Sequence, residues 1–208
     1  MEGNTPVVDH GVTSYFRDLS DLLVGTQVTD ADGLPRSLDQ GAANVVDTIL
    51  AVKAAGRKVM LIGNGGSAAI VSHMHNDLCV SVGVRAVAFH ELPLLTALTN
   101  DHGYECVFAR PLELWAEPGD LLLAISSGGR SANILGAVRA ASARDCRVIT
   151  LSGFKPDNPL RGMGLLNFYV PSRSYGYVET AHAALAHFLT DSAAAMSVAS
   201  PDTGGTHA

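Results

Sequence analysis

Gly63-Asn64-Gly65-Gly66-Ser67 follows the apolar run Val59-Met-Leu-Ile62 and precedes a stretch of helical periodicity. A strand, a glycine turn and a helix start in that order direct free backbone N–H groups, the positive end of a helix dipole and a serine hydroxyl at one point, where an anion fits. The run matches neither G-x-G-x-x-G nor the P-loop, which needs Lys-Ser/Thr after its last glycine. Turn glycines that merely supply positive φ angles would look the same. A second turn of this kind tips the balance towards phosphate. Leu121 to Ile125 leads into Ser126-Ser127-Gly128-Gly129-Arg130-Ser131, and a helix pattern begins at Ala132. The hydroxyls of Ser126, Ser127 and Ser131, with helix-start N–H groups, make a neutral cradle to which Arg130 adds charge. The competing fate of such serines is a helix cap at Ser131 and solvated turn positions. Asn64, Gly65, Gly66, Ser67, Ser126, Ser127, Ser131 and Arg130 are therefore the candidate phosphate-binding residues.

A second constellation has the chemistry of a metal or acid–base site. His73 and Asp77 are four apart on the helix after the first glycine turn, so their side chains point the same way, one turn apart. His75, about 200° round the axis from His73, faces elsewhere. Near the end of the chain, Glu179 and His187 are eight apart, about 80° round the axis, and His182 lies about 60° to the other side of Glu179. Spacing alone lets Glu179 face a site with either His182 or His187, and Glu-x-x-His is itself a carboxylate–metal pattern. An isolated His-x-x-x-Asp is most often a solvated helix pair; the second helix with matching residue types favours a ligand set. Two imidazoles with two carboxylates suit a divalent metal, zinc first, with manganese, iron or nickel also compatible.

These residues must be held by a repeated strand–helix unit. Apolar or β-rich runs at 58–62, 85–89, 121–126, 147–151 and 167–170 are separated by helix-like segments, and the runs are apolar on both faces. The pattern predicts an α/β fold, a five-stranded parallel sheet covered by helices on both sides, with both glycine turns at the carboxyl edge, where open sheets bind ligands. Two helices precede the sheet, one carrying Tyr15, Phe16, Leu19, Leu22 and Leu23, the other Ala42, Val45, Val46, Ile49 and Leu50, with Thr26 to Ser37 read as a loop. A last alanine-rich helix spans 175–198. Residues 1–36 read as a helix and loop of the same unit, 37–198 as the main domain and 199–208 as a disordered tail.

The chain has 208 residues, 47% hydrophobic and 16% charged, long enough for one well-buried core. A formal charge of −6 without a Lys/Arg cluster argues against nucleic acid or an anionic membrane as the main partner. Cys79, Cys106 and Cys146 are widely spaced and form no CxxC pair, so buried thiols are expected rather than disulfides or a cysteine zinc site. The N-terminus lacks a signal-peptide pattern and no apolar run reaches membrane length, which predicts a cytoplasmic location.

Taken together, the motifs resemble sugar isomerase (SIS) domains, and within them the sedoheptulose 7-phosphate isomerases, also called phosphoheptose isomerases. The resemblance covers about residues 40 to 192 and rests on Gly63-Asn-Gly-Gly-Ser67, Leu95-Thr-Ala-Leu-Thr-Asn-Asp-His-Gly-Tyr104, Val107-Phe-Ala-Arg110, Pro118-Gly-Asp120, Ile125-Ser-Ser-Gly-Gly-Arg-Ser-Ala-Asn133 and Glu179-x-x-His182-x-x-x-x-His187. It implies a flavodoxin-like three-layer sandwich, assembled as a homotetramer with active sites at subunit interfaces. It implies phosphate contacts from Ser67, Ser126, Ser127 and Ser131, and metal positions at His73, Asp77, Glu179 and His187, with one zinc ion per subunit. His182 then becomes a packing or supporting residue, and Asp101 matches an active-site Asp, although an Asx turn would also explain it.

The implied activity interconverts sedoheptulose 7-phosphate and D-glycero-D-manno-heptose 7-phosphate through an enediol, feeding a nucleotide-heptose pathway. The chain departs from the family at the residues that matter most. Asp77 stands where the family has Glu, shorter by one carbon–carbon bond of about 1.5 Å, and anionic Glu179 stands where it has Gln. Gly128 and Arg130 replace Ser and Asn in the second turn, Ser81 replaces an Arg, and Gly176 replaces a second Asp. The expectation is that Glu179 or Asp77 abstracts the substrate proton, His187 acts as partner acid, and the metal polarises the carbonyl. Isomerisation of another phosphoketose and a catalytically silent phosphosugar-binding regulator are the alternatives.

Overall fold

The computed structural model describes residues 11–199. Helix α1 (Val12–Val24) leads into a hairpin of β1 (Gln27–Asp30) and β2 (Pro35–Arg36) and then α2 (Leu38–Ala54). The repeating unit follows as β3 (Lys58–Gly63), α3 (Gly66–Asp77), β4 (Arg85–Ala88), α4 (Leu92–His102), α5 (Ala109–Trp115) and β5 (Leu121–Ser126). It ends with α6 (Ala132–Ser142), β6 (Arg147–Ser152), β7 (Leu166–Tyr169) and α7 (Tyr175–Ala199).

The sheet order is β2-β1-β7-β6-β5-β3-β4. The five expected strands are all parallel, and in chain order they run 2-1-3-4-5, the flavodoxin-like arrangement whose switch point lies between β3 and β5. The sheet is wider than expected, with seven strands, because the segment read as a loop forms an antiparallel hairpin that extends the β7 edge. Its strands are too short for a periodic signal. Val28, 2% exposed, packs into the core, and the Asp-Gly turn is closed by Asp30, whose Oδ1 accepts from the N–H groups of Asp32 (3.1 Å) and Leu34 (2.9 Å).

Two apolar layers cover the sheet. Val45 and Ile49 of α2, Val71 and Met74 of α3, and Ala186 and Leu189 of α7 pack on one face against Val59, Leu61, Leu123 and Phe168. Phe108, Leu112 of α5, and Ile134 and Val138 of α6 pack on the other face against Met60, Ile62, Leu122 and Val148. Side chains from both layers alternate along β3 and β5, as strands buried on both faces require. At the amino edge of the sheet Asp120, fully buried, takes an ion pair from Lys58 Nζ (2.7 Å) and a hydrogen bond from the Lys58 N–H (3.0 Å), pinning β5 to β3.

One further expectation changes. Cys79 is exposed, Cys106 is partly buried, and Cys146 is partly buried against the core layer that holds Val138 and Val148, so none of the three thiols is fully buried; burial and the nearby Asp120 push the Cys146 thiol up to about 11. The tail expected from Ala199 onward lies, beyond that residue, outside the described residues. Among the described residues no helix is long and apolar enough to cross a membrane.

Candidate active site

Each glycine turn ends a strand on one side of the switch point and starts a helix. Gly65, at φ 54°, occupies a conformation that disfavours side chains, and it precedes the first residue of α3. The N–H groups of Gly66 and Ser67 in that first turn have no intrahelical acceptor. The first turn is tied to the second by reciprocal amide hydrogen bonds. Asn64 Nδ2 donates to Asn133 Oδ1 and Asn133 Nδ2 donates to Asn64 Oδ1, each at 2.9 Å, while the Tyr104 hydroxyl donates to Asn64 Oδ1 at 2.8 Å.

Between the turns lies a cleft of about 930 Å³ lined by Asn64, Gly65, Gly66, Ser67, Ser126, Ser127, Gly128, Arg130 and Ser131 from the turns. Every residue expected to bind phosphate is therefore on its wall. The far wall consists of Phe154, Lys155, Arg173, Tyr175 and Glu179. The first four escaped the sequence reading. Their positions after β6 and β7 place them at the same carboxyl edge, and that placement was the available signal. Phe154 holds φ 60°, the left-handed region, and its ring meets that of Tyr175 edge-on at 4.7 Å. Arg130 makes an exposed ion pair with Asp157 at 3.4 Å, joining the second turn to the loop after β6.

The serines are poised rather than spent. Ser131 precedes α6 but its side chain makes no capping hydrogen bond, so the competing cap role is not the one it takes. Ser126 Oγ accepts from the Gly129 N–H at 3.2 Å, which leaves its own proton to donate. Ser127 Oγ is buried and has no hydrogen-bond partner. An unpartnered buried hydroxyl on a residue of the cleft wall retains a proton to donate. Ser127→Ala is therefore expected to leave thermal stability within about 0.5 kcal/mol, since it removes an unsatisfied group. The same change is expected to raise the KM for a phosphosugar about 3- to 10-fold, the loss of one hydrogen bond to a charged ligand; thermal unfolding and steady-state kinetics check the pair of outcomes.

Glu179 stands in this cleft, against the start of α3. A Cβ built on Gly66 would collide with its Oε2, so glycine at 66 is what lets the carboxylate approach the helix end. Burial raises the Glu179 pKa above the ordinary carboxylate value, which suits a group that must both take and return a proton near neutral pH.

His73, Asp77 and His187 form a separate cluster. Their ligand atoms all lie within 4.8 Å of one another; His73 Nε2 is 3.5 Å and His187 Nδ1 is 3.7 Å from Asp77 Oδ2. The Thr190 hydroxyl donates to the same oxygen at 3.4 Å. Glu179 does not join this group. The reason is helix geometry: α3 and α7 run side by side in the same direction, so Glu179 meets Gly66 at one level, whereas His187 meets His73 and Asp77 about 12 Å further along the axis. His182 is fully buried, its Nε2 meeting the Ser152 carbonyl at 3.1 Å, and burial pulls its pKa down to about 4, leaving a neutral packing residue. Asp101, at the end of α4, is exposed, accepts from Asn100 Nδ2 at 2.8 Å and does not line the cleft.

A single sheet between two helix layers, with a hydroxyl- and glycine-lined cleft at its switch point, defines a three-layer α/β domain with its cleft where such sheets bind ligands, and comparison with known proteins gives the class. The SIS domain profile matches residues 14–153. The chain is 35% identical over 188 residues to a phosphoheptose isomerase of Thiobacillus denitrificans, covering 83% of this chain and 93% of that protein. It is 31% identical over 177 residues to one of Shewanella sediminis, covering 81% and 87% respectively. The solved phosphoheptose isomerase GmhA of Neisseria gonorrhoeae superposes with a TM-score of 0.76 at 27% identity, over 88% of this chain and 97% of that one. The chain belongs to the SIS-domain family, among its phosphoheptose isomerases, and is an isomerase.

Proposed function

We propose that this protein converts sedoheptulose 7-phosphate to D-glycero-D-manno-heptose 7-phosphate through an enediol. The observation that carries the reading is the placement of a partly buried Glu179 carboxylate in the same cleft as the serine cradle. The cradle receives the phosphate, a fixed anchor that presents the sugar to the carboxylate. Glu179 takes a proton from C1 of the ketose. The electron pair forms the C1–C2 double bond and the C2 oxygen takes up a proton. Return of the proton to C2, with loss of the C1 hydroxyl proton, yields the aldose, so no oxidant or reductant is consumed. In the reading taken from the family His187 is the partner acid; lying about 12 Å beyond the Glu179 level, it pairs with Asp77, the alternative base, whose Oδ2 is 3.7 Å from His187 Nδ1.

The donor set of His73, Asp77 and His187 fits zinc, one ion per subunit: three protein ligands of suitable type, with a further position for water or substrate, is the composition of catalytic zinc sites. A divalent ion held there would supply Lewis-acid polarisation of the substrate oxygens. A homotetramer with shared sites is supported by α4, which carries no buried residue, by exposed Leu92, Leu114 and Trp115, and by Asp101, which reaches a cleft only if a neighbouring copy provides one. The setting proposed is the cytoplasm, with neither nucleic acid nor membrane as partner.

The test is to incubate the purified protein with sedoheptulose 7-phosphate and Zn²⁺ and follow aldose formation. Turnover is expected. Tight phosphosugar binding without turnover would replace this reading with that of a silent phosphosugar-binding regulator. Turnover of a different phosphoketose would assign Gly128 and Arg130 to a changed substrate range.

A further inference from the structure

We propose that His90 is a positioning residue of the first glycine turn, fixing the Gly63 carbonyl and with it the backbone that receives the phosphate. The proposal rests on the reading of that turn as the phosphate site. Strand β4 pairs with β3 in a register that sets Leu61 beside Ala88; two residues further on, Gly63 stands level with position 90. The strand stops short of it. After Ala88 the chain turns back on itself, with the His90 N–H donating to the Ala88 carbonyl at 3.0 Å. The imidazole takes over where the ladder ends: His90 Nε2 lies 3.2 Å from the Gly63 carbonyl oxygen, and Nδ1 lies 3.2 Å from Ser72 Oγ.

The hydrogen-bonding partners decide the tautomer. A carbonyl only accepts, so Nε2 carries the proton and donates it to Gly63, and Nδ1 accepts from the Ser72 hydroxyl. The ring is held edge-on to Phe108, centroids 5.9 Å apart at 70°, and burial lowers its pKa, which keeps it neutral. One side chain thus joins the end of β3 to the second turn of α3, bracketing the glycine turn between them.

Bracketing matters because three of the four residues 63–66 are glycine, which loses more conformational freedom on ordering than any other residue. Within a trans peptide the C=O and N–H point in opposite directions. A Gly63 carbonyl held towards His90 therefore sends the Asn64 N–H the other way. Asn133 and Tyr104 hold the Asn64 side chain by hydrogen bonds of their own, so both the backbone and the side chain of the turn are preorganised before any ligand arrives.

The experiment titrates inorganic phosphate calorimetrically into the full chain and measures steady-state kinetics for the same proteins. His90→Phe keeps an aromatic ring but removes the donor to Gly63, and phosphate affinity is expected to fall about 3- to 10-fold, the worth of one hydrogen bond. The phosphosugar KM rises in parallel and kcat stays within about twofold. His90→Gln, which retains a side-chain N–H, recovers at least half of the loss, and Ser72→Ala, which frees only Nδ1, costs less than His90→Phe. Unchanged phosphate affinity in a folded His90→Phe overturns the role of His90 alone. If His90→Phe fails to fold, Gln and Ser72→Ala decide: a Gln variant no better than His90→Ala overturns the proposal. Wild-type protein that binds no inorganic phosphate overturns the phosphate site together with it.

Discussion

Glu179→Gln is expected to lower kcat for aldose–ketose interconversion by about 10²- to 10⁴-fold, the range that a positioned general base supplies, with KM changed less than about threefold. Gln has nearly the shape of Glu, so the approach to Gly66 and the cleft wall survive while the base is lost. The pH profile gives an independent readout. Because burial raises the Glu179 pKa above 4.5, the wild-type acid limb of kcat/KM is expected above the ordinary carboxylate range, and that limb disappears in Glu179→Gln. The stability sign separates chemistry from misfolding. A carboxyl whose folded pKa is raised contributes stability in full below its unfolded pKa and loses it as pH rises through the folded value. The neutral amide escapes that loss, so Glu179→Gln is expected to be at least as stable as wild type at neutral pH. If it keeps the wild-type rate while Asp77→Ala loses it, the base is Asp77; if both keep it, neither carboxylate is the base.

Much of this geometry follows from local patterns in the chain. The parallel strands are apolar on both faces and the turns after them are glycine- and serine-rich, so the switch-point cleft is legible from Gly63 to Ser67 and from Ser126 to Ser131. The His73–Asp77 pair is equally local, being one helix turn. What sequence reading misses is non-local. The β1–β2 hairpin owes its place to pairing with β7 and to Val28 in the core, not to a periodic signal of its own. Phe154, Arg173 and Tyr175 reach the cleft because two loops fold over the same sheet edge, and no spacing rule links them. Helix phase also hid the separation of Glu179 from the His187 cluster. An angular offset of about 80° puts the two residues on a common face, but eight residues of rise put them about 12 Å apart. A helical wheel has no axis along which to show that distance.

The separation makes the metal set itself testable. His187→Ala and Asp77→Asn each remove a donor from a three-ligand cluster, and zinc affinity is expected to fall by about 100-fold or more, since even the partners that merely orient metal ligands are worth 10- to 100-fold. Metal analysis after gel filtration should then show about one zinc per subunit in wild type and little in either variant. Thermal unfolding reports the same event by linkage: free Zn²⁺ at about 1,000 times its Kd stabilises by about 4.1 kcal/mol, and both variants lose most of that increment. Glu179→Ala is the discriminating control. With Glu179 at the Gly66 level and the cluster two turns beyond, this variant retains zinc while losing turnover. Should it lose zinc as His187→Ala does, the ion draws α7 along α3 until Glu179 becomes the fourth ligand. The carboxylate would then be spent on the metal, Asp77 would be left as the candidate base, and the loss of rate in Glu179→Gln would report metal binding instead of proton transfer.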